Sequence, residues 1–286
     1  MPRVFTISVR VAHHELGVFG ELRSSSCARL LQETAIRASS DAGYPEAWYL
    51  SQGTQWVVRR SRLDLPRAVV FGARLSISTW VADFRRVRSR REYEVRPEDG
   101  GTLVAAAHTD WVYVDLSTAK PSRVPEPMVA AFLAGDEPLS LPRSPLALPS
   151  PEGEARRRRR PVELRDLDGL GHVNNATALD TVEEAFFEWL ADLGWSPEAM
   201  LAAGGHPRAV GHDVEYLAEA RYLEDLQTTI WAIAGEAPVL DTGAETRRLS
   251  DDAVVARART HWRWQANGDH AELPWPAELR HALLSG

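Results

Sequence analysis

The stretch Arg165-Asp166-Leu167-Asp168-Gly169-Leu170-Gly171-His172-Val173-Asn174-Asn175 concentrates groups that can move protons. Carboxylates, an imidazole and two side-chain amides surround a glycine-rich turn, just ahead of a segment with helical spacing. A carboxylate there can activate water or attack an electrophile, and His172 can orient it or relay the proton. Backbone N–H groups at a helix start, with the positive end of the helix dipole, can polarise a carbonyl and hold a developing oxyanion. Gly169 and Gly171 let a ligand approach the backbone closely. Together these groups suit acyl transfer. The same residues also fit a structural reading, in which Asp168 and Asn174 close a turn and cap a helix.

The elements that must position this turn occur twice. At an offset of 151 residues Gly20 falls on Gly171, Glu33 on Glu184, Trp80 on Trp231, and Thr109-Asp-Trp111 on Thr260-His-Trp262. Tryptophan is rare, so two ungapped pairs at one offset point to a duplicated domain. Alternation over Val4–Ala12 predicts a strand. Ser24, Ser25 and Ser26 offer helix caps, Leu30, Leu31, Ala35 and Ala38 supply helical spacing, and Gly43 ends the helix. Strands are expected over 54–65, 71–83, 86–96 and 102–115. The second copy predicts a strand over 160–165, a helix over 174–193, and strands over 208–217, 225–235, 243–249 and 253–265. Pro197–Pro207 should hold a short extra helix or loop.

This is an α+β plan: two antiparallel sheets, each carrying one long helix, and expected to join into one continuous sheet that hides an edge of each. Residues 1–116 form the first copy and 159–286 the second. Residues 117–158, rich in proline, read as an extended linker between them. Where the copies differ, chemistry can be confined to one. Asp168 is matched by Gly17, His172 by Glu21 and Asn174 by Arg23, so the reactive groups belong to the second copy.

Composition narrows the class. The chain has 286 residues, a formal net charge of −7 and a single cysteine, Cys27. An internal disulfide and a cysteine-held zinc are therefore excluded. No apolar run approaches the ~18 residues of a membrane span. Net acidity argues against a general nucleic-acid binder. A cytoplasmic location of the bacterial type is expected, since no Arg/Ser-rich presequence precedes the first strand. Among 33 basic residues only Lys120 is lysine. Genome base composition accounts for that, or else a use for arginine forks on carboxylates and phosphates.

Read as an ordered set, several segments resemble the acyl-acyl-carrier-protein thioesterases, which are double hotdog proteins. Asp166-Leu-Asp168-Gly-Leu-Gly-His172-Val-Asn-Asn175 is similar to the family's D-x-D-x-N-x-H-V-N-N signature. Glu184 follows in the helix, and Val214-Glu-Tyr-Leu-Ala-Glu219 resembles the L-E-Y-x-x-E segment. Gly53-Thr-Gln-Trp-Val-Val-Arg59, Ser78-Thr-Trp80 and Asp110-Trp-Val-Tyr-Val-Asp115 resemble its W-x-x-x-R, T-W and W-x-x-x-D elements. The similarity spans about residues 5–265.

The resemblance implies a double hotdog in which Asp168, His172 and Glu219 are catalytic. Ala68 stands opposite Glu219 in the first copy, which agrees with that assignment. Two positions depart from the pattern. Leu170 replaces the catalytic Asn, and Ala220 replaces a Cys that often follows the Glu, so a cysteine nucleophile is excluded there. A carboxylate-centred hydrolysis of fatty acyl-carrier-protein thioesters without metal or other cofactor is expected. Asp168 or Glu219 would serve as base or nucleophile, and Val173, Asn174 and Asn175 would position the thioester oxygen. Acyl-CoA or polyketide-type thioesters, a non-hydrolytic acyl-thioester binding module and a hotdog hydratase are the alternatives.

The remaining candidates carry weaker chemistry. Arg156, Arg157, Arg158, Arg159 and Arg160 are either a solvated or packed linker end or a docking patch for an acidic carrier protein. Arg85, Arg86, Arg88, Arg90 and Arg91 should split between two strand faces, some pairing with Glu92 and Glu94. Trp48, Trp56 and Trp80 are core residues or the walls of an acyl tunnel. His13-His14-Glu15 points to opposite strand faces, and His206 and His212 lack a carboxylate at metal-ligand spacing, so no metal is expected. The partners expected are acyl carrier protein or acyl-CoA, with no nucleic acid; a homodimer is an assembly the chain allows.

Overall fold

The computed structural model describes residues 3–133, 141–151, 153–233 and 238–285. The chain divides into two units. Unit 1 holds Met1–Glu15 and Ser26–Pro145, and unit 2 holds Leu16–Ser25 and Leu146–Gly286.

Unit 1 carries β1 (Phe5–Arg10), α1 (Ser24–Asp41, its first two residues in unit 2), α2 (Glu46–Ser51), β2 (Thr54–Asp64), β3 (Arg74–Arg85), β4 (Arg88–Pro97), β5 (Ala105–Asp115), β6 (Lys120–Pro121) and α3 (Glu126–Leu133). The sheet order is β1-β3-β4-β5-β2, with β6 on β5, and every pairing is antiparallel. α1 buries Cys27, Leu31, Ala35 and Ala38 at helical spacing, and each leucine so buried contributes roughly 1.5–3 kcal/mol. The chain leaves α1 through Gly43, whose φ of +92° favours glycine.

Unit 2 carries β7 (Arg156–Pro161), α4 (Thr177–Asp192), α5 (Pro197–Ala202), β8 (Gly205–Tyr216), β9 (Asp225–Ile233), β10 (Leu240–Arg248), β11 (Ala253–Ala266), β12 (Glu272–Leu273) and α6 (Ala277–Ser285). Its order, β7-β9-β10-β11-β8, repeats that of unit 1 strand for strand, with β12 on β11. α4 buries Leu179, Val182, Phe186, Trp189 and Leu190. Trp262 of β11 packs on Phe186 with ring centroids 4.3 Å apart. Across β9 and β10, Trp231 pairs with Gly243 and fills the place of its missing side chain.

The duplication extends to the turns. A one-turn 3-10 helix at His13–Glu15 is matched by one at Leu164–Asp166. The isolated bridge Leu16–Leu22 is matched by Leu167–Val173, at the same offset of 151 residues. Gly20 and Gly171 share a positive φ, +80° and +76°.

Two expectations change. Residues 117–158 do not run as an extended linker throughout. They include β6 and α3, and α3 buries Met128, Phe132 and Leu133 among aromatic residues. The apolar spacing of Met128, Phe132 and Leu133 outweighs the flanking prolines, which stand before the helix or in its first turn, where no N–H partner is needed. Beyond it, Arg143 places its guanidinium on buried Asp83 (Nη2–Oδ1 2.7 Å) and on Asp110 (Nε–Oδ1 3.1 Å). The run Arg156–Arg160 is not a linker end either. It is strand β7, paired with β9 at the end of the sheet. Arginine on an edge strand blunts pairing with other chains.

Candidate active site

The turn before α4 is built by its backbone. The Asp168 amide donates to His172 O at 3.0 Å and the Gly171 amide to Asp168 O at 3.0 Å. The positive φ of Gly171 permits this tight return. It places the Asp168 and His172 side chains on one side, with Asp168 Oδ2 3.4 Å from His172 Nδ1, both about one-fifth exposed. The other carboxylate oxygen accepts the Leu170 amide at 2.9 Å. The position that carries Asn in the resembled signature therefore contributes through its N–H.

Asp166 has a different task. It is buried, pairs with Arg160, and accepts the Glu163 amide at 2.8 Å, which caps the 3-10 turn. Glu219 enters by its backbone neighbours. Val173 N–H donates to Ala220 O at 2.9 Å, and His172 bridges to Arg221. The Glu219 side chain is half exposed and bound to Arg221 at 3.0 Å. Among the described residues it makes no hydrogen bond to Asp168 or His172.

The expected oxyanion donors are distributed unevenly. The Val173 amide is used by Ala220 O, and the Asn174 amide donates to Asp166 O at 2.8 Å. Asn174 Oδ1 caps the Ala176 amide at 2.9 Å. The Asn175 amide, by contrast, makes no hydrogen bond among the described residues, while Asn175 O accepts Tyr216 Oη at 3.1 Å. It lies two residues before α4, where the helix dipole is positive.

A second carboxylate–imidazole pair escaped the sequence reading. Among the described residues Glu183 of α4 pairs with His212, Oε1 to Nε2 3.1 Å, while His212 Nδ1 meets Thr260 Oγ1 at 3.1 Å. Its neighbour Glu184, singled out by the repeat, is 64% exposed and reaches toward Arg158 instead. The helical buried positions Leu179, Val182 and Phe186 flank Glu183, a signal that could have found it. With both ring nitrogens satisfied, His212 ties α4 to the sheet.

The other candidates separate likewise. Arg158 binds Glu188 and Arg160 binds Asp166, leaving Arg157 and Arg159 on the exposed side of β7, with Arg159 on Gln227. Trp48 and Trp56 join the aromatic cluster of unit 1, whereas Trp80 lies on the strand face opposite Thr79 and Val81. Arg90 pairs with Asp110, not with Glu92 or Glu94. Burial pushes the Cys27 thiol up to about 12, with Glu15 adding to the shift, so it supplies no thiolate at neutral pH. Among the described residues no helix is long and apolar enough to cross a membrane.

Known proteins share this plan. Residues 2–132 match the family model for the acyl-ACP thioesterase N-terminal domain, and residues 162–283 that of the thioesterase-like superfamily. The palmitoyl-acyl carrier protein thioesterase of Gossypium hirsutum chloroplasts is 24% identical over 273 residues, covering 91% of this chain and 64% of that protein. The chain thus spans just under two thirds of that relative. The crystal structure of an acyl-ACP thioesterase from Bacteroides thetaiotaomicron superposes with a TM-score of 0.69 at 19% identity, over 91% of this chain and 97% of that one. For the 12:0-ACP thioesterase from Umbellularia californica the TM-score is 0.71 at 18% identity, over 92% and 94%. The curated relatives are chloroplastic, which overturns the cytoplasmic location expected from the sequence. Both halves are matched in order and the fold is shared along its length: the chain is a double hotdog protein, similar to the acyl-ACP thioesterases in its first half and to the thioesterase-like superfamily in its second.

Proposed function

We propose that the chain hydrolyses fatty acyl-carrier-protein thioesters to free fatty acid and carrier protein. The observation that carries this reading is the Asp168–His172 pair at 3.4 Å, with Asp168 fixed by the Leu170 amide. Asp168 takes a proton from water as the water oxygen attacks the thioester carbon. His172 holds the carboxylate in line, and the Asn175 amide at the start of α4 receives the developing oxyanion. Collapse of the tetrahedral intermediate breaks the C–S bond, and the proton on Asp168 passes to the leaving thiolate. Glu219, neutralised by Arg221, supports the segment beside His172.

In this reading the hotdog of residues 1–116 binds substrate and that of residues 159–286 carries the chemistry. The exposure of Arg157 and Arg159 on β7 supports docking of an acidic carrier protein there. A panel of acyl-carrier-protein and acyl-CoA thioesters, followed by release of free thiol, tests it. Thiol release by the wild type and its loss in Asp168→Asn support the reading. No release from any thioester would leave the second reading, a non-hydrolytic acyl-thioester binding module. That alternative is favoured by the Val173 and Asn174 amides, which are already committed to backbone carbonyls.

A further inference from the structure

Arg91 is the one arginine of the arginine-rich β4 that faces inward. Exposure alternates along this strand, and Ser89, Arg91, Tyr93 and Val95 form its buried face. Arg91 itself is 7% exposed. One residue earlier, on the other face, Arg90 has its counter-ion, a two-pronged contact with Asp110 at 2.8 Å and 2.8 Å. Arg91 has none. Among the described residues its contacts are Thr79 Oγ1, 3.5 Å from Nη1, and the Phe132 ring, 5.4 Å from the guanidinium carbon. Burial pulls its pKa down, opposed by the nearby Tyr93 and Tyr49. A guanidinium cannot shed its proton in a protein, so the charge stays, and among the described residues no carboxylate offsets its desolvation.

A second donor on the same face also lacks a well-formed hydrogen bond. Trp111 of β5 stands opposite Ser89, and Thr109 stands opposite Arg91. The Trp111 indole N–H is buried and makes no well-formed hydrogen bond among the described residues, although the Tyr93 hydroxyl lies close enough to interact with it. Tyr93 lies beside Trp111, Thr109 and Arg91. An oxygen acceptor carrying negative charge would serve both the guanidinium and the indole donor. The surroundings are aromatic. Tyr49, Phe84, Tyr113, Phe132 and Met128 form the adjoining buried cluster, and the half-buried Tyr44, Trp48 and Trp56 pack against it.

We propose that the core of unit 1 binds the anionic head of a long-chain carboxylate, with Arg91 as its counter-ion, Thr79 and Trp111 as neighbouring donors, and the aromatic cluster taking the chain. Carboxylate and guanidinium match as a fork, and in a low-dielectric core such a pair is strong and selective for the anion. The carboxylate has two possible sources: a free fatty acid, or the far end of an acyl group that carries a terminal carboxyl. The inference does not rest on the hydrolase reading, because it concerns binding alone.

Calorimetric titration of the full chain tests it with two matched pairs of probes. One pair is dodecanoate and methyl dodecanoate. The other is the mono-thioester of hexadecanedioic acid with N-acetylcysteamine and its palmitoyl counterpart. In at least one pair the carboxylate should bind the wild type about tenfold or more tightly than the neutral probe. Preference within the first pair identifies free fatty acid as the ligand, and preference within the second identifies a terminal carboxyl of the acyl group. Arg91→Met should erase the preference and leave the neutral probe's affinity nearly unchanged. Should that variant not fold, Trp111→Phe removes only the indole donor and should lower carboxylate affinity several-fold. Equal binding within both pairs by the wild type, or an unchanged preference in folded Arg91→Met, overturns the proposal.

Discussion

Asp168 and Gly17 hold the same place in two copies of one turn. The amide of Asp168 closes on His172 O at 3.0 Å, and that of Gly17 on Glu21 O at 2.7 Å. The backbone has been kept in both copies while the carboxylate is present in one. A shape that survives without its carboxylate does not need it for folding. Asp168→Asn should therefore leave unfolding by circular dichroism near that of the wild type. Its thioester hydrolysis should fall about 10²–10⁴-fold, the usual contribution of a general base. Glu219→Gln, already shielded by Arg221, should lose much less. A folded Asp168→Asn with near-normal turnover would remove Asp168 from the mechanism.

Glu21 occupies the position of His172 in the other turn and has become an anchor within unit 2. Its Oε1 lies 2.7 Å from His270 Nδ1 and 3.4 Å from His206 Nε2, and it accepts Gln265 Nε2. Phe19 stacks on His206 with centroids 4.0 Å apart. Burial alone would raise the Glu21 carboxyl, but the hydrogen bond and charge of His206, with Arg208 and His270, hold it below its ordinary value. A depressed carboxyl stabilises the fold fully above its unfolded pKa, and the effect is lost as pH falls through the native value. Glu21→Gln should cost on the order of 2 kcal/mol near neutrality. In denaturant titrations, the gap between wild type and variant should narrow below about pH 4.

Arg143 and Asp83 predict non-additive energetics. Asp83 is fully buried, and Arg143 closes on it with two nitrogens, 3.1 and 2.7 Å away. Removing one partner strands a buried charge and should cost about 3 kcal/mol, whereas removing both is far milder. In a double-mutant cycle of Arg143→Met and Asp83→Asn by urea unfolding, the double variant should be less destabilised than the sum of the singles. Additive losses would show that the pair contributes nothing jointly.

Gly243 is a packing requirement of Trp231. A Cβ at 243 would stand 2.5 Å from Trp231 Cε2 and 2.6 Å from Cζ2, inside van der Waals contact. Gly243→Ala should cost about 1–3 kcal/mol and displace the indole, which near-ultraviolet circular dichroism would report. Gly169→Ala, with open space at its Cβ, serves as the control.

Much of the fold was legible because its signals are local and periodic. The Trp80–Trp231 and Trp111–Trp262 pairs fixed the repeat, and the apolar spacing of Leu31, Ala35 and Ala38 fixed α1. Helix α3 was missed because Pro121, Pro125 and Pro127 dominate the composition of its neighbourhood, while its helical signal is a single turn or two. Five successive arginines conceal the alternation of β7, because strand periodicity is read from a contrast in residue type and here there is none. Within the site, the carriers of side-chain chemistry could be named, but backbone amides cannot be followed in a sequence. Whether Val173 or Asn175 presents a free N–H depends on carbonyls such as Asp166 O and Ala220 O, which only the folded chain brings near.

The grouping of Leu16–Ser25 with unit 2 gives the duplication a direction. The boundary between the copies in sequence and the boundary between the units in space are different cuts. Expression of the second copy alone, from residue 159 onward, would omit Phe19 and Glu21 and leave His206 without its stacked ring and its carboxylate. A gene split at the repeat would therefore separate His206 and His270 from the residues that pack on them. The second copy packs a piece of the first as though it were its own, so fusion in one chain supplies part of its stability rather than only a convenience of its expression.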